Sequence, residues 1–391
     1  MTGFQTGVRC DPELVVEAGS VADVQRAIDR AARNNLPVTA RATGHGATSL
    51  TEGVLVTTNQ FDHVHIDPAA MVADVGAGVT WGTVVQEAAR HGLAPLSGSS
   101  PTVGVAGYTL GGGLGPLARR YGYAADNVVS LDVVTPDSTH RHLTSADDLF
   151  WAMCGAGGSF GIVTSLQVRL FPVEEILGGT LTFETDRFAD VLAHYRDWVD
   201  NLPPELTTSF SLNPRGVGIH VVGNPDNKSL IEPLRRLGPV NNSVGVMPFA
   251  DYPSIFREPT QPHGYQGDAI AAVDIDPTAT VDGPTFVLVH HLGGAASHPA
   301  DNAVGHRDAR FVVRVVTPWF DEKPPNLTET QGELVEKLAC GATARVLGFL
   351  FGDNNISAEA CYEPDTYNRL TDLKHRIDPA NLFRLGRTVG H

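Results

Sequence analysis

Apolar residues in the first 175 positions alternate between helical and strand spacing. Ser20 can cap a helix in which Val21, Val24 and Ile28 fall on one face. A second apolar face, from Trp81 to Ala88, also has helical spacing. Short apolar runs predict strands at 38–42, 54–58, 72–75 and 128–134. This part of the chain is therefore expected to mix helices and strands closely.

The middle of the chain, residues 175–344, has longer β-rich runs. Strands are predicted at 207–212, 217–222, 286–291 and 311–316, and amphipathic helices at 188–199 and 327–338. Strands before and after helices favour an antiparallel sheet with helices on one face. The stretch 253–283, which is rich in Pro, Gly and Asp, is expected to be a loop over a surface or cleft.

The last segment returns to the first pattern. A helix is predicted at 365–377, ended by Asp378-Pro379, and it is expected to pack back on the N-terminal part. The sequence therefore predicts an α+β fold of two domains. The first is discontinuous (1–174 and 345–391), and the second, 175–344, contains the antiparallel sheet.

Composition and charge narrow the possible functions. The 391 residues are 42% hydrophobic, enough for a sizeable core, and 28 Lys and Arg against 44 Asp and Glu give a net charge of −16. Such a surface repels nucleic acid and anionic lipid, so neither is an expected partner. No run approaches the length of a spanning helix, and no signal-peptide pattern opens the chain, so a cytoplasmic location is expected.

Cysteine and histidine spacing gives no reason to expect a metal site. Cys10, Cys154, Cys340 and Cys361 are scattered without a C-x-x-C pair, which also argues against a disulfide framework. Free, partly buried thiols are the expectation.

Glycines are concentrated between Gly98 and Gly122. So many glycines are costly in backbone entropy, but they let a backbone approach a ligand closely and point N–H groups at a pyrophosphate. A loop of tight turns is the alternative. The segment Gly111–Gly115 lacks the frame of an NAD fingerprint, because G-x-G-x-x-G should open a helix after a strand and precede an acidic residue.

A second candidate is the sequence R-A-T-G-H-G, Arg41 to Gly46, directly after a predicted strand. His45 lies between two glycines, so its imidazole is expected to be accessible, as a nucleophile or ligand requires. An ordinary surface loop is the alternative.

These two segments combine with a third, D-L-F-W-A-M-C-G-A-G-G-S-F-G-I-V-T-S-L, which starts at Asp148. Together they resemble the berberine-bridge-enzyme-like flavoprotein oxidases, which carry an FAD-binding domain of the PCMH type found in the vanillyl-alcohol-oxidase superfamily. The resemblance covers 12–172 and resumes at 362–384, and Gly305-His306-Arg307 is similar to a family position in the central domain.

The resemblance implies FAD as cofactor, joined covalently to His45. Some family members add a bond from a cysteine that precedes a proline, but here Ser100 precedes Pro101, so a single link is expected. By the same resemblance, the residues expected to bind FAD are Arg41, Thr43, Gly44, His45, Gly46, Gly98, Ser99, Thr102, Val103, Gly104, Gly107, Gly111, Gly112, Gly113, Asp126, Asn127, Gly161, Ile162, Val163 and Asn381.

Two further residues bear on the reaction. Val103 matches the family position that controls access of O₂ to the flavin, where valine tends to permit it; simple packing is the alternative. Tyr362 matches the family tyrosine that often acts as catalytic base. The sequence around it departs from the family pattern, continuing Glu363-Pro364-Asp365-Thr366, so a packing role at the domain seam is the alternative.

The expected function is an FAD-dependent oxidase that takes a hydride from an alcohol or amine carbon of a small organic molecule and reduces O₂ to H₂O₂. Two alternatives stay open: a covalent flavoprotein dehydrogenase with another electron acceptor, and a flavin-binding protein without activity. The sequence does not identify the substrate or the oligomeric state.

Overall fold

A small parallel sheet begins the fold. The computed structural model describes residues 3–214, 216–279, 281 and 284–390. Its first elements are β1 (Leu14–Glu17), α1 (Val21–Arg33), β2 (Val38–Arg41) and β3 (Val54–Thr57), with strand order β1-β3-β2. All four residues of β3 are buried, as expected for the middle strand of a parallel sheet. The side chain of Ser20 accepts a hydrogen bond from the backbone N–H of Asp23 and caps α1.

An antiparallel sheet follows, with order β4-β5-β9-β7-β8 among the described residues. The short strands β6 and β10 pair with each other beside it. The elements are β4 (Val64–Asp67), β5 (Val72–Gly76), α2 (Trp81–Ala89), β6 (Leu93–Ala94), α3 (Val105–Leu110), α4 (Ala118–Tyr121), β7 (Val128–Val134), β8 (His140–Leu143), α5 (Asp148–Met153), β9 (Ile162–Arg169) and β10 (Phe171–Pro172).

The middle of the chain forms one large antiparallel sheet. Its order over the described residues is β14-β11-β13-β12-β17-β18-β16-β19, and β15 also pairs with β11. The elements are β11 (Glu175–Phe183), α6 (Phe188–Trp198), β12 (Leu206–Asn213), β13 (Gly216–Gly223), α7 (Glu232–Arg235), β14 (Asn241–Asn242), β15 (Gly245–Pro248), α8 (Pro253–Phe256), β16 (Gly264–Ile275), β17 (Phe286–His291), β18 (Phe311–Trp319), α9 (Leu327–Leu338) and β19 (Ala339–Arg345).

The two faces of this sheet differ because side chains alternate along each strand. Helices α6 and α9 cover one face, where Phe210, Val289 and Val313 join a buried apolar cluster. The opposite face carries their sequence neighbours Ser211, His290 and Arg314, among others, and borders a cavity. The α+β class and the central antiparallel sheet are therefore confirmed.

The expected loop at 253–283 is wrong in part, because β16 occupies 264–275 and pairs with β18 and β19. Its glycines mark close packing: a Cβ at Gly264 would lie 2.3 Å from Trp319 Nε1, and one at Gly267 would lie 2.9 Å from Phe351 Cδ2. The buried amide of Gln266 hydrogen-bonds with Gln331 and Lys323, so a polar residue is accommodated in the strand.

The C-terminal helix α10 (Pro364–Ile377) packs against the N-terminal part of the chain. Lys374 is fully buried, and its Nζ donates to Ser159 O at 2.7 Å, Asp378 Oδ2 at 2.8 Å and Phe383 O at 2.8 Å. Beyond the helix, the backbone of Val38 donates to Leu382 O. The domain boundaries at 174 and 344 stay predictions. None of the helices in the described part of the chain has the length and apolarity to cross a membrane.

Candidate active site

A cavity of about 610 Å³ lies between the loops of the N-terminal part and the open face of the central sheet. Its walls include the loop after β2, the glycine-rich segment, the turn before β9 and residues 385–388. From the sheet it is bordered by β12, β13, β17 and β18. A cavity of this size is typical of ligand-binding and cofactor sites.

His45 stands in the loop that follows β2 and borders the cavity. Its Nε2 lies 3.0 Å from the hydroxyl oxygen of Thr102, and its ring stacks on Phe4 with the centroids 3.7 Å apart. The hydroxyl of Tyr265 donates to the carbonyl oxygen of His45. Burial lowers the pKa of His45 to about 4, so its imidazole is neutral at physiological pH.

The glycines near the cavity have two distinct roles. At Gly46, Gly107 and Gly158 no surrounding atom lies within 4 Å of the place where a Cβ would be, so these positions face open space. At Gly115 a Cβ would lie 2.0 Å from Ser97 O, so this glycine is required by the fold. The first group forms a cradle in which backbone, not side chains, meets a ligand.

Most of the predicted cofactor residues border this cavity. They are Arg41, Thr43, Gly44, His45, Gly46, Gly98, Ser99, Val103, Gly104, Gly107, Gly111, Gly161, Ile162 and Val163. Thr102 is not part of the wall, but it contacts His45 directly. The sequence-based set is thus largely brought together in space, while the role of each residue in binding stays a prediction.

Asp126 and Asn127 lie away from the cavity wall and hold structure instead. Asp126 Oδ1 pairs with Arg307 Nη2 at 2.6 Å and accepts a hydrogen bond from Asn302, which ties the N-terminal part to the central part. The side chain of Asn127 donates to Tyr121 O and Tyr123 O. The structure thus gives these two residues structural contacts away from the cavity wall, and their expected contact with FAD stays a prediction.

Three other predicted cofactor residues are also outside the wall. Gly112 and Gly113 have positive φ angles of 102° and 74°, and a Cβ at Gly113 would lie 2.6 Å from Tyr108 Cε1. They form a turn that packs on its surroundings. Asn381, with φ of 48°, lies in the turn after α10, where its N–H donates to Asp378 O.

Tyr362 does not border the cavity either. Its side chain lines a smaller adjoining pocket of about 80 Å³, which shares Gly111 and Phe349 with the cavity, and its hydroxyl donates to Gly155 O at 3.0 Å. Burial raises the pKa of Tyr362 well above its usual value, which opposes the phenolate form that a base requires. This placement argues against the expected catalytic role and fits the alternative of packing at the seam.

Several cavity residues were not among the expected site residues. Glu258, Tyr265, Arg314 and Phe349 come from segments far apart in sequence. Ser99 donates its hydroxyl to the carboxylate of Glu258, which links the glycine-rich segment to the loop after α8. Of these four residues, only Arg314 could have been noticed in the sequence as a candidate site residue, because it is a single charge in the apolar run F-V-V-R-V-V.

Histidines on the open face of the sheet are uncharged. His220 Nε2 lies 2.9 Å from Ser211 Oγ and Nδ1 lies 3.0 Å from Thr180 Oγ1, and burial lowers the pKa of His220 to about 4. Burial, assisted by the charge of Arg314, lowers the pKa of His290 well below its usual value. The only full charges of the described residues on this part of the wall are therefore those of carboxylates and arginines.

Several known proteins are similar to this chain in sequence and in fold. Residues 12–144 match the family model described as FAD binding domain. The chain is 29% identical over 417 residues to (R)-6-hydroxynicotine oxidase of Paenarthrobacter nicotinovorans, covering 95% of this chain and 90% of the relative. It is 34% identical over 429 residues to the FAD-linked oxidoreductase sor8 of Hypocrea jecorina, covering 97% of this chain and 74% of the relative.

A solved structure of Physcomitrella patens BBE-like 1 has the same fold, with a TM-score of 0.85 at 20% identity, over 100% of this chain and 94% of that one. The fold and the glycine-lined cavity define a PCMH-type FAD-binding protein with a central sheet domain. The chain belongs to the berberine-bridge-enzyme-like FAD-linked oxidoreductases. It is an oxidoreductase with FAD as its cofactor, as the sequence motifs led us to expect.

Proposed function

We propose that this protein is an FAD-dependent oxidase that acts on an alcohol or amine carbon of a small organic molecule, with O₂ as electron acceptor and FAD covalently attached to His45. In the overall reaction the substrate loses a hydride and a proton, and O₂ gains that hydride and that proton to become H₂O₂. The name of the nicotine-oxidase relative supports the amine half of this proposal.

The environment of His45 is the observation that carries the proposal. A histidine nucleophile must be neutral, and burial lowers the pKa of His45 to about 4. Thr102 and Phe4 restrict its ring, and Tyr265 holds its backbone. An ordinary surface-loop histidine would not need three such contacts from separate segments.

The cavity residues fit FAD. Gly46, Gly107 and Gly158 leave open space at the wall, as close approach of a dinucleotide requires, and Arg41 contributes a positive charge at the same wall. Bound FAD supplies the hydride acceptor and the route of the electrons to O₂. Val103 borders the same cavity, which supports its proposed role in admitting O₂.

Glu258 is the proton acceptor that the geometry supports best. It borders the cavity, and the hydrogen bond from Ser99 fixes the orientation of its carboxylate. The carboxylate can accept the proton of a substrate hydroxyl or amine, whereas Tyr362 lies in the smaller adjoining pocket and its hydroxyl donates a hydrogen bond to Gly155 O.

Acid precipitation tests the covalent link. The precipitate of the wild-type holoprotein should retain flavin fluorescence, and that of the His45→Ala variant should release it. A variant of an exposed histidine, His65→Ala, is the control for the substitution itself. Retained fluorescence in the His45→Ala precipitate would exclude His45 as the attachment site. Peroxide formed in equal amount to the O₂ consumed, with a panel of alcohols and amines, tests the oxidase reaction.

A further inference from the structure

Arg314 is a buried cation on the cavity side of β18. It is the one charged residue of that strand, all of whose residues are described, and it is 8% exposed. Its guanidinium carbon lies 4.1 Å from the ring centroid of Phe349 and 5.7 Å from that of Phe351. The side chain therefore lies against aromatic rings at the cavity wall.

The hydrogen-bonding capacity of Arg314 is mostly unused. Its Nη1 lies 3.3 Å from His290 Nε2, while its Nε has no hydrogen-bond partner among the described residues. Arginine cannot give up its proton, so His290 Nε2 must be the acceptor and the histidine must be neutral. Burial also lowers the pKa of Arg314, which shows how weakly the protein compensates this charge.

Glu258 does not neutralise Arg314 directly. Its negative charge favours the charged form of Arg314 from a distance, but the two side chains form no ion pair in the described part of the chain. The carboxylate of Glu258 instead accepts the hydrogen bond from Ser99. A buried charge without a paired counter-ion is unfavourable, and proteins seldom retain one without a use for it.

Other buried or partly buried arginines of this protein have several oxygen acceptors supplied by the protein, although Arg387 Nε also has no partner among the described residues. Arg119 donates to four backbone carbonyls, those of Leu202, Pro203, Leu206 and Leu292. Arg387 donates to Leu350 O, Gly352 O and Asn354 Oδ1. Arg307 forms an ion pair with Asp126. Arg314 differs from all three because its acceptor is a single neutral ring nitrogen at a long distance.

We propose that the substrate of this oxidase carries a carboxylate that pairs with Arg314, with the carbon skeleton packed against Phe349 and Phe351. This inference rests on the proposed function, because it assigns the substrate class of the same site. One guanidinium beside a neutral His290 balances the single negative charge of a carboxylate. A phosphate dianion would meet too little positive charge and repulsion from Glu258.

The position of the anion site agrees with a role in orienting substrate. Tyr265 is close enough to Arg314 for their charges to interact, and Tyr265 also donates to His45 O. Tyr265 thus lies near both the anion site and the backbone of the proposed attachment site. A carboxylate held there would leave the rest of the substrate to reach Glu258.

Binding of acids and their amides tests this inference without any turnover. The holoprotein is titrated calorimetrically with benzoate, phenylacetate, hexanoate and octanoate, and with the corresponding neutral primary amides. At least one acid is expected to bind ten-fold or more tightly than its amide, as a charge-assisted pair implies. Arg314→Gln should abolish this preference and Arg314→Lys should retain part of it. Arg196→Gln, which removes an arginine on the far side of the sheet, should leave the preference unchanged.

Four results would overturn the proposal: equal binding of acid and amide by the wild type, no binding of any acid, an unchanged preference in Arg314→Gln, or inorganic phosphate displacing the acids. The wild-type comparison alone is decisive if the variants fail to fold. Failure of the proposed function is separate: it would appear as releasable flavin in the wild type or no peroxide, whatever the acid preference.

Discussion

The hydroxyl of Tyr265 donates a hydrogen bond to the backbone carbonyl of His45 at 2.5 Å, across 220 residues of sequence. Tyr265 belongs to β16 of the central sheet, whereas His45 belongs to the loop after β2. This bond therefore fixes the loop of the proposed flavin attachment site relative to the sheet that faces it.

Removing this bond should affect attachment more than folding. Tyr265→Phe is expected to cost about 1 kcal/mol of unfolding free energy, the usual net value of one hydrogen bond. It should also slow covalent incorporation, because the imidazole is held less firmly. The measurement is the covalent fraction of flavin over time after FAD is added to apoprotein. An unchanged rate would mean that the bond only stabilises the fold.

Two glycines of the cavity wall should respond in opposite ways to alanine. Gly107 lies within α3 with open space at its Cβ position, so Gly107→Ala should raise the stability of the apoprotein by about 0.5–1 kcal/mol. The new methyl group should at the same time weaken FAD binding. Gly115→Ala, the matched control, should destabilise the fold, because its Cβ would lie 2.0 Å from Ser97 O. Chemical denaturation and FAD titration of both apoproteins separate these effects.

Glu258→Gln should impair turnover while leaving flavin content intact. Loss of a positioned proton acceptor typically lowers kcat by about 10²–10⁴-fold. Ser99→Ala keeps the carboxylate and removes only the hydrogen bond that orients it, so its effect should be smaller. Anaerobic reduction of the flavin by an excess of an active substrate measures the step directly. Equal rates in wild type and Glu258→Gln would exclude this role.

Stability should fall as the pH falls from 6.5 to 4. Burial lowers the pKa of His220 from 6.5 to about 4, so within this window the unfolded chain binds a proton that the folded chain does not. Each such histidine changes the free energy of unfolding by up to about 1.4 kcal/mol per pH unit. His220→Gln should reduce this slope, and the exposed-residue control His65→Gln should not. Urea unfolding at pH 6.5, 5.5 and 4.5 provides the comparison.

A substitution in the buried ion pair of α10 should strongly lower the free energy of unfolding. Lys374→Met leaves the fully buried carboxylate of Asp378 without its cation, which typically costs about 3–5 kcal/mol. The effect should be seen in the free energy of unfolding. The exposed pair Lys337–Glu333 is the control, and Lys337→Met should cost less than about 1 kcal/mol.

Local patterns predicted much of the fold because they report which residues are buried. The apolar runs at 128–134 and 286–291 coincide with β7 and β17, and α9 occupies 327–338 as expected. Strand β16 was missed because its glycines and buried polar residues have an unusual composition. Only their contacts with Trp319, Phe351 and Gln331 explain them, and those partners are distant in sequence.

The candidate site, like the fold, could be predicted from the sequence only in part. The segments around His45 and Gly107 were recognisable because each is a continuous stretch of chain. Glu258 reaches the cavity from the loop after α8, and Arg314 reaches it through the pairing of distant strands. A single sequence reveals neither arrangement. Tyr362 was predicted as catalytic base from its motif, but the motif could not show that its hydroxyl donates a hydrogen bond to Gly155 O.

Residues 385–388 form part of the cavity wall, and Lys374 holds the segment that leads to them. The anchor of α10 and the wall of the ligand cavity are therefore parts of one continuous stretch of chain. Damage to the buried lysine would accordingly be transmitted to the ligand site as well as to the stability of the helix.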